Sequence, residues 1–99
     1  MYGTVAKLKV KKGMIDKLSA LLEVQEREIP GAQEIYIYQM DENPDEFYMT
    51  VVFDNKELYF KNANSSEQDQ QFKEMMKYLE EEPEWHDGEI IYYRDYEPK

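Results

Sequence analysis

Three consecutive stretches decide how this chain folds: Gln33-Glu34-Ile35-Tyr36-Ile37-Tyr38-Gln39-Met40, Asp41-Glu42-Asn43-Pro44-Asp45 and Glu46-Phe47-Tyr48-Met49-Thr50-Val51-Val52-Phe53. The outer two are rich in β-branched and aromatic residues, and the middle one is made of turn formers. That combination predicts a β-hairpin. Alternation puts Ile35 and Ile37 on one side of the first strand, with Tyr36, Tyr38 and Met40 on the other. In the second strand Phe47, Met49, Val51 and Phe53 oppose Tyr48, Thr50 and Val52. Residues two apart share a face, so this hairpin is apolar or aromatic on both sides. Both sides need a cover.

Upstream, Pro30-Gly31 ends a helical pattern, because proline cannot continue a helix and glycine accepts the closing turn. The helical stripe is Met14, Ile15, Leu18, Leu21, Leu22, Gln25 and Ile29. Lys12-Gly13 separates it from Tyr2 to Val10, where Tyr2, Thr4, Ala6, Leu8 and Val10 alternate with Lys7, Lys9 and Lys11 as a strand with one better-buried face. Downstream, Asp54-Asn55 caps a short helical piece carrying Leu58, Tyr59 and Phe60, which Asn62-Ala63-Asn64-Ser65 interrupts. Ser65 and Gln68 have capping-box spacing, and Phe72, Met75, Met76 and Leu79 form the next stripe. Glu80-Glu81-Glu82-Pro83 closes that helix, with three acids at the wrong end of the macrodipole. Asp87-Gly88 reads as a turn, Glu89 to Tyr93 as the last strand, and Arg94 to Lys99 as a polar tail. The order β-α-β-β-α-β predicts an α+β, ferredoxin-like fold. Its right-handed crossovers place both helices on one face of a four-stranded antiparallel sheet.

With helices on one face only, the second apolar face predicts a homodimer. An exposed patch of this kind exceeds what monomers normally carry. Burying several such side chains at ~1.5–3 kcal/mol each is enough to drive two sheets together. Two copies packed sheet to sheet would form a closed, two-fold symmetric barrel.

The composition narrows the functions. At 99 residues there is room for one domain, residues 1–99 including the polar tail, with one core. Hydrophobic residues at 41% exclude a disordered chain despite 34% charged residues. A formal net charge of −10 argues against nucleic acid or an anionic membrane surface as partner. Without cysteine there is no disulfide framework and no thiolate metal site. No apolar run approaches the ~20 residues needed to cross a bilayer. Met1-Tyr2-Gly3-Thr4 lacks the basic and apolar regions of a signal peptide, so a cytoplasmic protein is expected.

The order of elements and several local sequences resemble the antibiotic biosynthesis monooxygenase family of the dimeric α/β-barrel superfamily, over about Tyr2 to Tyr93. The matching residues are Val5-Ala6-Lys7-Leu8-Lys9-Val10-Lys11-Lys12-Gly13 at the opening strand and turn, Pro30-Gly31 at the helix end, Asn43-Pro44 with Phe47 in the hairpin, Phe53-Asp54, and Phe72 in the final helix. The resemblance implies a dimeric α/β barrel with a pocket in each subunit between the helices and the sheet. Some members oxidise polycyclic aromatics or quinols there with molecular oxygen and neither metal nor flavin; others bind and degrade haem, and many have no known activity. Where many relatives carry a histidine in the short helix after the third strand, this chain has Asn62. Where the haem-degrading branch has an asparagine, a tryptophan and a histidine, it has Ala6, Asn62 and Met76. With no axial imidazole there, a haem oxygenase is not expected, and no cofactor or metal is.

A cofactor-free oxygenase needs a substrate that can become an electron-rich anion, so the protein supplies a base or hydrogen-bond partner in a dry pocket. Asn62 is the first catalytic candidate, on an otherwise apolar helical piece, with a role at the helix break as the alternative. His86 is the second, being the only histidine, the residue type that moves protons near neutral pH; a surface position in an acidic turn is the competing reading. Tyr36 and Tyr48 are candidates for substrate hydrogen bonds, and alternation leaves open which sheet face they occupy. Tyr59, Met76 and Trp85 are further candidates for contact with a small aromatic ligand. Two functions follow as expectations. One is a cofactor-free monooxygenase acting on a small aromatic or quinone-like molecule. The other is a non-catalytic ligand-binding or structural dimer of the same fold.

Overall fold

The computed structural model describes residues 1–23 and 28–96. Four strands and three helices follow in the order β1 (Tyr2–Lys9), α1 (Ile15–Glu23), β2 (Ala32–Gln39), β3 (Glu46–Phe53), α2 (Lys56–Ala63), α3 (Ser66–Met76) and β4 (Glu84–Glu89). The strands make one antiparallel sheet in the order β2-β3-β1-β4. This is the expected ferredoxin-like arrangement, with the interrupted helix resolved into α2 and α3. Of the α1 stripe, Gln25 lies outside the described residues.

Register assigns every strand residue to a face. Tyr2, Thr4, Ala6 and Leu8 stand opposite Phe53, Val51, Met49 and Phe47. All but Val51 are buried, and the core grows from this pairing: Ala6, Leu8, Val10, Phe47 and Met49 join Leu18 of α1, Met75 of α3 and Leu79. Ile35 and Ile37 share that face through Val51 and Met49. The other face carries Val5 and Lys7 of β1, Tyr36 and Tyr38 of β2, and Tyr48, Thr50 and Val52 of β3. Here Val5 is 45% exposed, Tyr36 53% and Tyr38 52%. Tyr36 and Tyr38 stack side by side with ring centroids 6.4 Å apart.

The caps fall where the sequence places them. The Asn55 side chain accepts from Leu58 N at 2.8 Å, and Ser65 Oγ accepts from Gln68 N at 3.1 Å. Gly31 has φ of 82°, a conformation open to glycine, and a Cβ there would come within 2.6 Å of Leu58 Cδ1. Its carbonyl accepts from Asp54 N at 2.8 Å, tying the start of β2 to the end of β3.

The C-terminal third departs from expectation. Helix α3 ends at Met76, so Leu79 is no longer helical but bridges to Val10, and the acids at 80–82 lie beyond the helix. That removes the clash with the macrodipole. Glu80 N donates to Lys9 O at 2.9 Å, after which the chain pairs with β1 from Lys7↔Glu84 to Tyr2↔Glu89. The last strand therefore begins at Glu84, not Glu89, and Asp87-Gly88 lies inside it, not in a turn. Ile90 N donates to Met1 O at 2.9 Å. Beyond that point β1 offers no further partner, so Ile91 to Tyr93 are not strand, and Ile91 is 94% exposed. No helix among the described residues is long and apolar enough to cross a membrane.

Candidate functional site

The helices do not close down fully on the sheet. Between them lies a cavity of about 600 Å³, bounded by Met49, Val51 and Phe53 of β3, Ile35 of β2, Leu22 of α1, α2, α3 and the edge strand β4. Its wall is mostly apolar, the usual character of a small-molecule site. An aromatic cluster bounds one side: Tyr59 packs on Phe60 with centroids 5.0 Å apart, on Phe53 at 5.5 Å and on Tyr2 at 5.3 Å. Across the cavity, Phe72 and Trp85 approach to 6.4 Å.

Polar residues interrupt this wall, Gln33, Glu34, Asp69 and Gln71 among them, and two groups of them involve the candidate residues. At the α2–α3 junction Asn62 faces the cavity, and its Nδ2 donates to Gln68 Oε1 at 3.3 Å. The Asn62 carbonyl also accepts from Ser65 N at 3.0 Å and Ser65 Oγ at 2.7 Å. The same residue thus joins the helix break through its backbone and lines the cavity through its side chain. The second group lies toward β4. Thr4 and Asp87 are register neighbours on one face, and Tyr59 OH reaches down from α2 to donate to Asp87 Oδ1 at 2.8 Å. Partial burial, and then that bond, push the Tyr59 hydroxyl pKa up to about 12. The Thr4 hydroxyl is close enough to oppose the rise but makes no well-formed hydrogen bond, and its Oγ1 is buried without a partner. Among the described residues the lining includes Glu34, Asp69 and Asp87 and no lysine, arginine or histidine.

The candidates named from sequence therefore separate. Asn62, Tyr59 and Trp85 line the cavity. Tyr36 and Tyr48 stand opposite Thr50 and Lys7 on the far face of the sheet, so neither reaches it. His86 pairs with Val5 on that far face, exposed, with Nε2 3.1 Å from Glu84 Oε1. It sits in a strand, not in the expected turn, and the two catalytic candidates are divided by the sheet. Met76 packs against the core cluster and is not in the cavity wall. At the haem-branch positions this chain thus has a core methionine and the fully buried Ala6, a donor set that does not fit an iron porphyrin. No group of three metal-ligating side chains occurs among the described residues. Sequence reading missed Thr4 and Asp87. Thr4 carried a signal as the one polar residue in an apolar alternation, whereas Asp87 was hidden by the turn-like Asp-Gly pair.

The model of the antibiotic biosynthesis monooxygenase family matches residues 1–78. The chain belongs to that family. Solved structures agree on the fold. A candidate antibiotic biosynthesis monooxygenase from Chloroflexus aurantiacus is 20% identical, superposes with a TM-score of 0.76, and is matched over 95% of this chain and 96% of its own. One from Nitrosomonas europaea is 15% identical with a TM-score of 0.74, over 93% and 100%. A conserved protein from Methanosarcina mazei is 22% identical with a TM-score of 0.71, over 88% and 89%. No curated protein matches. The antibiotic biosynthesis monooxygenase fold is common to all of these. At such identities it is the only property they share with this chain on structural grounds.

Proposed function

We propose that this member of the family is a cofactor-free monooxygenase acting on a small aromatic or quinone-like molecule held in the helix–sheet cavity. The observation that carries this reading is the cavity itself, open, largely apolar, and polar at Asn62 and at Tyr59–Asp87. Side chains filling that space would have left no room for a substrate. For a phenol with a free ring carbon, the reaction inserts one atom of O2 as a ring carbonyl and releases the other as water. The substrate supplies all four electrons. The protein's part is to orient the ring between Phe72, Trp85 and the Tyr59 cluster, to exclude water, and to receive the phenolic proton. Asn62 is proposed as a donor to a substrate oxygen. Trp85 and Tyr59 are proposed ring contacts. We propose further that the working unit is a cytoplasmic homodimer joined through the Tyr36, Tyr38 and Tyr48 face.

The test is oxygen consumption with a panel of phenols and hydroquinones after chelator treatment. Uptake should exceed autoxidation and fall about tenfold or more in Asn62→Leu. Uptake no faster than autoxidation across the panel would leave a second reading, a non-catalytic ligand-binding dimer. One observation favours that second reading. With carboxylates and no cation in the described wall, a bound phenol is held in its protonated form, which slows attack on oxygen.

A further inference from the structure

The cavity runs across the whole sheet. Ile35 of β2, Val51 of β3, Thr4 of β1 and Trp85 of β4 all border it, and those four strands are neighbours in that order. Three inter-strand spacings make the passage about 14 Å long. Both of its ends reach the surface. Ile35 on one edge strand is 50% exposed and Trp85 on the other is 40% exposed, although register puts both on the helix side of the sheet. The two ends differ in kind. Aromatic side chains gather toward β4: Phe72 lies against Trp85, and the Tyr59 ring, bonded to Asp87 of β4, packs on Tyr2, Phe60 and Phe53. From Val51 to the β2 edge the described apolar wall is aliphatic, with Leu22, Ile29 and Ile35, while Gln33 and Glu34 are exposed at the rim.

We propose that the cavity holds an aromatic ring carrying a linear aliphatic chain, with the ring at the β4 end and the chain directed across the sheet to the β2 edge. Ring-on-ring contact with Phe72, Trp85 and Tyr59 selects the head. Leu22, Ile29, Val51 and Ile35 offer the chain non-directional contact only, whose strength grows with the apolar area taken from water. A compact ring fills one half of the passage and leaves the aliphatic half wet. Past Ile35 the chain leaves the protein, so the site limits how many methylenes it rewards and not the length it admits. Both readings of function share the premise on which this rests, that the cavity is a ligand site; oxygen chemistry is no part of it.

Anaerobic calorimetry with 4-alkylphenols from methyl to octyl, and with the 1-alkanols of matching chain, tests it. In the wild type, affinity should rise about threefold per added methylene. The rise should level off near hexyl, where an extended chain spans about half of the sheet. Each phenol should bind about tenfold tighter than the alkanol of the same chain. Ile35→Asp sets a charge where the chain leaves, and should flatten the rise for longer chains while holding 4-methylphenol within about twofold of wild type. Trp85→Ala should weaken every phenol by one common factor of about tenfold, with the increment per methylene and the alkanols unchanged. Both side chains are well exposed, so neither change hollows out the core, and if one variant fails to fold the other still separates head from chain. A steady rise through octyl that survives Ile35→Asp is non-specific partition and would overturn the proposal. So would affinity independent of chain length, alkanols binding as tightly as phenols, a Trp85→Ala effect confined to long chains, or no binding of any probe. Oxygen uptake with flat binding across the series would remove the chain site and leave the oxygenase. Chain-dependent binding without uptake would do the reverse.

Discussion

The two faces of the sheet are built from nearly the same residue types and end in opposite situations. On the helix face Leu8, Phe47 and Met49 are buried under α1 and α3, and one gap is left over as a cavity. On the open face Val5, Tyr36 and Tyr38 keep about half of their surface in contact with water. The helix face is complete within one chain, apart from a space of ligand size. Among the described residues no helix covers the open face, although Tyr93, beyond β4, comes within electrostatic reach of Glu34 and Tyr36. Chain composition does not separate the two. The side on which the crossovers place the helices does.

The contrast breaks most decisively if the helix face is hollowed out. Leu18 is fully buried and touches the core from α1, so Leu18→Ala should destabilise the fold by about 2–5 kcal/mol. Denaturant unfolding measures this directly, and the loss should be the same at every protein concentration. A cost below about 1 kcal/mol would mean that α1 is not a structural cover for the sheet.

These faces were legible in the sequence to different degrees. Alternation in Tyr2 to Val10 and Glu46 to Phe53 fixed two strands because a buried face allows only one register. It could not choose a face for Tyr36 and Tyr48, since both sides of the hairpin are apolar. The pairing Tyr48↔Lys7 decides it, and that is long-range information. Strand β4 was misplaced for another reason. Its residues, Glu84-Trp85-His86-Asp87-Gly88-Glu89, have little strand propensity of their own and pair because β1 presents a free edge. The apolar Ile90 to Tyr93 look more like a strand, but they come after β1 has run out. The site inherited this error, so Asp87 stayed hidden until Thr4 was seen beside it.

A smaller effect is expected on the open face, and its signature differs in kind. Tyr38→Ala should leave the monomer's circular dichroism intact and weaken association by about 2 kcal/mol per buried tyrosine, which a two-fold axis counts twice. Sedimentation at micromolar concentration should show a dimer for the wild type and a shift toward monomer for the variant. The wild-type melting temperature should also rise with protein concentration. A wild-type monomer would make the open face an ordinary tyrosine-rich surface and remove the contrast.

The smallest effect compares two tyrosines whose pKa values rise for different reasons. Tyr59, at the cavity, is pushed from 10.0 up to about 12, first by burial and then by its bond to Asp87. Tyr93, 55% exposed, is raised first by the negative charge of Asp95. For Tyr59 the folded state favours the protonated phenol, so its contribution is complete below pH 10.0 and is lost as pH climbs toward about 12. Because the ring is only partly buried, the pH-dependent part should amount to about 1 kcal/mol, well under the full value of such a shift. In an ultraviolet titration Tyr59 should ionise last, and Tyr59→Phe should delete that final step. Salt separates the two causes. Raising ionic strength screens Asp95 and lowers the pKa of Tyr93, whereas burial is indifferent to it and Tyr59 should hardly move. If salt shifts the last step as much as the others, Tyr59 titrates as a surface group, and the cavity is wetter than its aromatic wall implies.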